Sequence, residues 1–327
     1  MSERVLGWGL LGTARINRMV IPPLRVSPGN RLVAVASRDT ARATAYAREW
    51  GIERAYGSYQ ALLDDPTIDV VYVPLPNHLH AEWAVRAAAA GKHVLCEKPL
   101  ALCESELDRI EAAARERGVV VAEAFMYRHH PQTLKAREVV DSGAVGTVRF
   151  ARGSFSFPLS RPNDVRLRPE WGGGCLWDVG CYPLSLARFL LDAEPVEVFG
   201  SSVVGPTGVD ETFAGQLVFP GDVLAQVDAG FRSPFRAEFE IAGTSGVLRV
   251  RQPWKPRQDL PLLLQRGNET ETIPVAPADR YRLEIEDLAE AITTGRSPRV
   301  TLAESRGNVR TMVALLQSAR DGRPVRL

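Results

Sequence analysis

The 327-residue chain is short of the features that would tie it to a special environment. Its only cysteines are Cys96, Cys103, Cys175 and Cys181. They are too sparse to staple a chain of this size, and the Cys175–Cys181 spacing is not that of a zinc knuckle. Reduced thiols and a cytoplasmic location are the expectation. Histidines are few as well. His78 and His80 would point to opposite sides of an extended segment, His129 and His130 are adjacent, and no acidic cluster accompanies them, so no metal is expected. No apolar run approaches the roughly 18 residues that cross a bilayer. The opening MSERVLGWGLLG has neither a basic start followed by an apolar stretch nor a cleavage site, so no signal peptide is expected. A formal net charge of +1 gives no reason to expect a nucleic-acid or acidic-membrane partner. Lysine is scarce too, limited to Lys92, Lys98, Lys135 and Lys255. Internal repeats and low-complexity tracts are absent from the sequence.

What remains is the composition of a globular protein, 45% hydrophobic and 24% charged, long enough for two cores. Up to about residue 125, β-type runs (5–11, 31–37, 70–74, 93–96, 119–122) alternate with Ala-rich helical stretches (15–24, 41–50, 80–90, 104–117). Gly51, Gly91 and Gly118 stand where those helices should stop. This grammar predicts an α/β Rossmann domain over 1–125, a doubly wound parallel sheet. Beyond Tyr127 the pattern changes. After a short helix (131–142) come alternating runs at 147–157, 196–204, 212–219, 224–231, 237–242 and 247–251, interrupted by a helix at 177–191. Tight turns such as Pro220-Gly221-Asp222 separate them, so residues 126–327 read as an α+β domain with an open, mostly antiparallel β-sheet and flanking helices. The last two helices, 279–295 and 302–321, are free to pack on either domain.

The text from Gly7 to Gly12 matches G-x-G-x-x-G, but Leu10 and Leu11 read as strand core. Shifted on, Gly12-Thr13-Ala14-Arg15-Ile16-Asn17 puts the tight-turn glycine after the strand and the N–H groups of Ala14 to Ile16 at a helix start, suited to a pyrophosphate. Asn17 departs from the usual small third residue. The second strand ends in Ser37-Arg38-Asp39. A hydroxyl and a guanidinium suit the 2′-phosphate of NADP, whereas an acid suits the NAD ribose. NADP is the preferred reading, with Asp39 serving NAD as its rival.

Two further segments put polar groups just past strand ends, where ligands of such sheets bind: Pro74-Leu75-Pro76-Asn77-His78-Leu79-His80 and Glu97-Lys98-Pro99. From the first, Pro74, Leu75, Asn77 and His80 are cofactor-site candidates; from the second, Glu97 and Lys98. A third segment, Gly172 to Tyr182, carries Asp178 and Tyr182 four residues apart, on one face if helical.

With these motifs the whole chain resembles the glucose–fructose oxidoreductase / inositol dehydrogenase (Gfo/Idh/MocA) family of two-domain NAD(P)-dependent enzymes. Met126-Tyr127-Arg128-His129-His130-Pro131 and the final Ser318-Ala319-Arg320-Asp321-Gly322-Arg323-Pro324-Val325 add to the likeness. The resemblance implies a Rossmann domain, a sheet domain for substrate and dimerisation, and an active site between them. It implies that Lys98 matches the family's essential lysine and Asp178 its aspartate. Tyr182 stands where many members carry His, which points to the branch of sugar 1-dehydrogenases, dihydrodiol dehydrogenases and nucleotide-sugar ketoreductases. In such chemistry the cofactor moves the hydride and the protein moves a proton. Tyr182 as proton donor, with Lys98 lowering its pKa and polarising the oxygen, and Lys98 as the direct acid both stand open. Asp178 would orient the substrate hydroxyl or the lysine. Glu97 would fix geometry beside the ribose, with Lys98–Pro99 a candidate cis bond.

The bland alternatives are a solvated Lys98, Asp178 as a helix cap, Tyr182 as a core aromatic, and Arg128 and Arg166 as surface residues. Trp171 and Trp177 suit either sugar stacking or core packing. The expected function is NADP-dependent hydride transfer to or from a sugar-like hydroxyl or carbonyl carbon, on a small carbohydrate-like substrate, in a homodimer or homotetramer. A non-catalytic NADP-binding sensor and a Rossmann methyltransferase are the rivals. The first would lack the acid/base set, and the second would favour an acid ending the second strand without needing Glu97-Lys98-Pro99.

Overall fold

The computed structural model describes residues 5–161, 163–256 and 260–327, so the first four residues of the N-terminal run and residue 162 of the 160–171 segment lie outside the described residues. The chain forms two compact units, Met1–His129 with Asp279–Arg306, and His130–Ala278 with Gly307–Leu327. The first unit thus runs past residue 125 and takes in a segment from near the chain's end. No helix among the described residues is long and apolar enough to cross a membrane.

In the first unit the chain alternates β1 (Leu6–Leu11), α1 (Asn17–Val26), β2 (Asn30–Ala36), α2 (Thr40–Trp50), β3 (Arg54–Tyr56), α3 (Tyr59–Leu63), β4 (Val70–Val73), α4 (His80–Ala89), β5 (His93–Glu97), α5 (Glu104–Arg117) and β6 (Val121–Ala124). Every residue of β1, β4 and β6 is buried, as expected of parallel strands covered on both faces. The parallel sheet has the order β3-β2-β1-β4-β5-β6. Strand order therefore reverses direction beside β1, and the crevice at the carboxyl ends of β1 and β4 is the switch point at which such sheets bind ligands. The Asp39 side chain accepts from Ala41 N and Arg42 N to cap α2, and Gly51 ends that helix in the left-handed region. Helix α1 begins at Asn17 rather than at residue 15, because Arg15 and Ile16 form a turn without a capping side chain.

In the second unit follow α6 (Pro131–Asp141), β7 (Val148–Ser156), α7 (Cys181–Leu191), β8 (Glu197–Val204), β9 (Asp210–Phe219), β10 (Val223–Gly230), β11 (Arg236–Gly243), β12 (Val247–Arg251), β13 (Leu262–Arg266) and β14 (Glu269–Ile273). The sheet runs β14-β13-β12-β11-β7-β10-β9-β8 and ends on β15 (Val325–Arg326). It is antiparallel except for the parallel β7/β10 pair. Helix α7 lies on β7. The helix expected from residue 177 differs at its start, where Leu176–Gly180 forms a wide π-helical turn before α7.

Helix α8 (Arg280–Thr294) belongs to the first unit, against α1 and the 3-10 turn Met126–His129. It buries Tyr281, Glu284, Ile285, Asp287, Leu288 and Ala291. The unit boundary falls inside the last helix, α9 (Leu302–Asp321).

His129 is buried with its Nδ1 3.8 Å from Asp287 Oδ2. Burial pushes its ring down to about 3, against the opposing pull of the Asp287 charge. The unfolded ring titrates near 6.5, so the unfolded chain takes up the proton first. The stabilisation is complete above that pH and is lost as pH falls toward the folded value. Acidification from about pH 6.5 to 4.5 is expected to cost the protein about 2.5 kcal/mol more than it costs His129→Gln, measured by urea unfolding at both pH values.

Candidate active site

The nucleotide loop leaves β1 at Gly12, whose φ of 113° lies where only glycine is comfortable. A Cβ there would come 3.3 Å from Leu75 Cδ2, in the loop after β4. Gly7 and Gly9, by contrast, lie inside β1, so the register that begins at Gly12 is the one at the strand's end. Thr13, Ala14 and Ile16 are half-buried and Arg15 is exposed. Asn17, at the position usually filled by a small residue, has a task of its own: its buried side chain donates to Gly12 O at 2.9 Å and closes the loop. Asn17 N, Arg18 N and Met19 N donate to Ala14 O, Arg15 O and Ile16 O, so the first turn of α1 is already hydrogen-bonded and a pyrophosphate would be met by the loop before it, Gly12 to Ile16.

At the end of β2, Ser37 is buried and Arg38 exposed. Asp39 Oδ1 is held by Ala41 N at 2.8 Å and Arg42 N at 3.2 Å. Arg42, which sequence reasoning missed, turns back so that its Nε donates to Thr13 Oγ1 at 2.7 Å. Burial raises the pKa of the Tyr59 phenol, and the charges of Arg38 and Arg42 pull it down. Trp83 packs edge-on against the Tyr59 ring at 4.9 Å. Two guanidiniums, a phenol and two hydroxyls therefore converge beside Gly12. This set, with the glycine cradle, fits a dinucleotide carrying a 2′-phosphate.

The loops after β4 and β5 carry the other first-unit candidates. Pro74 and Leu75 are buried, and Asn77 opens a 3-10 turn, Asn77–Leu79. Lys98 is half-buried and its peptide bond to Pro99 is cis. On its N-terminal side, Glu97 Oε1 accepts from Tyr72 OH at 2.5 Å. Glu284 of α8 is buried in the same region, and its carboxyl is pushed well up by burial and then by the Glu97 charge. His80 is buried, with Nδ1 2.7 Å from Pro99 O and Nε2 2.6 Å from Leu75 O, so both ring nitrogens are engaged within the fold.

In the second unit, Asp178 lies in the π-helical turn and Tyr182 in the first turn of α7. Asp178 Oδ2 accepts from Arg166 Nε at 2.6 Å, and Arg166 Nη1 donates to Asp164 Oδ1 at 3.0 Å. Asp178 comes before burial and Asp164 as a cause of the Arg166 shift, which is upward. The two carboxylates and the guanidinium form one hydrogen-bonded set, so Arg166 is a partner of the site aspartate and not a solvated surface residue. Tyr182 is buried against Phe155, edge-on at 5.3 Å, and Trp254 at 5.8 Å. Trp254 is anchored through Nε1 to Ser154 O at 3.1 Å. Such packing holds the phenol in one rotamer. Trp177 is buried, whereas Trp171 is partly exposed beside Arg168.

Residues 6–125 match the oxidoreductase family with NAD-binding Rossmann fold, GFO/IDH/MocA, and residues 133–249 match the GFO/IDH/MocA C-terminal domain. D-xylose 1-dehydrogenase (NADP(+)) 2 of Haloferax volcanii is 40% identical over 98% of this chain and 99% of its own. The chain belongs to the GFO/IDH/MocA oxidoreductase family. Among solved members, the aldose-aldose oxidoreductase of Caulobacter crescentus, complexed with glycerol, superposes with a TM-score of 0.93 at 29% identity, covering 99% of this chain and 100% of that one. A 3-ketoreductase of Actinomadura kijaniata, in complex with NADP and TDP-benzene, does so at 0.90 and 32%, covering 96% and 98%. The protein is thus an oxidoreductase whose relatives include enzymes of free and of nucleotide-linked sugars.

As a GFO/IDH/MocA oxidoreductase, the protein builds its Asp178 turn on one glycine. Gly174 has φ 122°, and a Cβ there would meet Asp210 Oδ1 at 2.1 Å. Asp210 is buried and its carboxylate accepts from Leu176 N at 2.7 Å and Cys175 Sγ at 3.1 Å, fixing the start of the turn. Gly174→Ala is expected to lower stability by about 3 kcal/mol, whereas Gly267→Ala, equally left-handed but with nothing within 4 Å, costs about 1 kcal/mol. Equal losses in urea unfolding would dismiss the clash with Asp210 as the cause.

Proposed function

We propose that the protein is an NADP-dependent dehydrogenase that oxidises a free aldose at its anomeric carbon. The observation that carries the cofactor choice is the division of labour after β2. Asp39 is committed to capping α2, while Arg38 and Arg42 converge with Tyr59 and Thr13 beside the nucleotide loop. A ribose diol has lost its acidic partner there, and a 2′-phosphate gains two cations. Gly12 to Ile16 would hold the pyrophosphate, Ser37 with Arg38 and Arg42 the 2′-phosphate, and Pro74, Leu75, Asn77 and Glu97 the ribose and nicotinamide end. The substrate class is supported by the extent of the likeness to the Haloferax xylose dehydrogenase, 40% over nearly the whole of both chains.

When bound, NADP would supply the hydride acceptor for the carbon being oxidised. The chain's part is the proton. As the C–H bond breaks, the hydroxyl on the same carbon loses its proton either to a Tyr182 phenolate, with the Lys98 ammonium offsetting the negative charge that develops on oxygen, or to the neutral amine of Lys98. Asp178, held by Arg166, orients a sugar hydroxyl. A 3-keto nucleotide sugar reduced in the reverse sense is the second reading, favoured by the likeness to the Actinomadura 3-ketoreductase. A dihydrodiol is a further substrate within the same chemistry. A cofactor-binding sensor is disfavoured by the joint presence of Lys98, Asp178 and Tyr182. Assembly as a homodimer or homotetramer belongs to this reading. It is supported by the outward row of Phe199, Val203 and Leu224 on the second sheet. A cytoplasmic location suits the four free cysteines.

Fluorescence titration is expected to show NADPH binding at least about 10-fold tighter than NADH, and Arg38→Ala or Arg42→Ala to weaken NADPH alone by about 10- to 100-fold. Tighter NADH binding would overturn the cofactor assignment. With D-xylose and related aldoses as substrates, Lys98→Met is expected to lower kcat by about 100-fold or more while NADPH still binds. Unchanged turnover would remove Lys98 from the chemistry.

A further inference from the structure

The peptide group that follows the catalytic lysine by one residue is gripped from both ends. Pro99 O lies 2.7 Å from His80 Nδ1, and Leu100 N donates to Glu123 Oε1 at 2.9 Å. These are the carbonyl and the N–H of a single planar peptide unit. His80 and Glu123 are each 1% exposed. They arrive from different elements: His80 opens α4, and Glu123 sits on β6, in register with Cys96 of β5. Covering the sheet does not require either of them, and burying two titratable side chains is unfavourable unless their hydrogen bonds matter.

We infer that His80 and Glu123 are positioning residues that set the place of Lys98 by clamping the Pro99–Leu100 peptide. The inference rests on the catalytic assignment of Lys98 above. The proline ring fixes φ of Pro99, so the orientation of the clamped peptide passes to Lys98 through one remaining torsion, ψ of Pro99. On the other side of Lys98, Glu97 is held by Tyr72. The lysine backbone is therefore fixed from both directions.

The two nitrogens of His80 serve two different carbonyls. Burial, with the charges of Lys98 and His78, pushes the His80 pKa down to about 4, while its contacts with Pro99 O through Nδ1 and Leu75 O through Nε2 pull it up. The Pro99–Leu100 peptide gives its N–H to a carboxylate, which polarises its carbonyl and makes it the stronger acceptor. Of the two contacts of His80, the one from Nδ1 to Pro99 O is the one that acts on Lys98.

Two near-isosteric variants separate the two bonds. His80→Asn places an amide N–H near the Nδ1 position and His80→Gln near the Nε2 position. In steady-state turnover with NADP and an accepted aldose, His80→Asn is expected to keep kcat within about 3-fold. His80→Gln is expected to lower it by about 10- to 100-fold with the sugar KM and the NADPH Kd little changed. Glu123→Gln, which still accepts from Leu100 N–H, should follow the parent, and Glu123→Leu should follow His80→Gln. A second readout needs no turnover: the pH midpoint of Lys98 acetylation by acetic anhydride, followed by peptide mass spectrometry. It should move in His80→Gln and stay in His80→Asn. Equal defects in the two His80 variants, the reverse order, or a midpoint common to all folded variants would overturn the clamp. If the labelling pattern holds while the parent turns over no sugar, the clamp stands and the substrate assignment fails instead.

Discussion

Parallel pairing of β1 with β2 on one side and β4 on the other is the constraint from which the rest of the first unit follows. Parallel neighbours cannot be joined by a tight turn, so each strand is followed by a crossover, and every crossover begins at the same edge of the sheet. Gly12, Ser37, Pro74 and Glu97 all stand within a residue or two of a strand's carboxyl end. Their assembly at one edge needs no separate explanation. What each loop then does is a matter of which polar groups follow: a left-handed glycine after β1, a hydroxyl and a guanidinium after β2, a lysine bracketed by two tied residues after β5.

The two units hold their reactive groups by different means. In the first, buried polar side chains reach the backbone: Asn17 to Gly12, His80 to Leu75 and Pro99, Glu123 to Leu100. In the second, Asp210 reaches the backbone at Leu176 N, and the side chains of Tyr182 and Asp178 are held by other side chains. Phe155 and Trp254 wall in the Tyr182 ring, and the Arg166 fork spans Asp164 and Asp178. The difference follows from the secondary structure. Loop backbone after a parallel strand has donors and acceptors to be caught, whereas a helical turn beyond its first N–H groups, one of which Asp210 takes at Leu176, is hydrogen-bonded to itself and is held through its side chains.

Elements with several periods of pattern were legible in the sequence. The helix over Glu104–Arg117 and the strand over Val247–Arg251 agree with their expected bounds, and the glycine register that begins at Gly12 lies where strand β1 ends. Arg54–Tyr56 and Tyr59–Leu63 were not, because a three-residue strand or a five-residue helix shows no period and neither has the unbroken apolar run that marks β4. The π-helical turn was read as ordinary helix, since hydrogen-bond register within a helix leaves no trace in apolar spacing. The missed site residues share a physical reason as well. Arg42 reaches Thr13 across 29 positions, and Glu123 reaches Leu100 across 23. Each partnership exists only because the sheet brings distant segments side by side. Ser37 and Arg38 could be named because they abut a strand end; Arg42, a helical turn further on, carried no such mark.

Helix α8 gives the first unit an origin split across the chain. The surface that covers His129, and the buried carboxylic acid near Glu97, are contributed by Arg280–Thr294, which the ribosome makes only after every strand of the second sheet except β15. The nucleotide-binding half is thus translated first and completed late. Until α8 emerges, the apolar side of α1 and the turn at Met126–His129 lack their cover, so the order of synthesis is not the order in which the two halves can become finished structures.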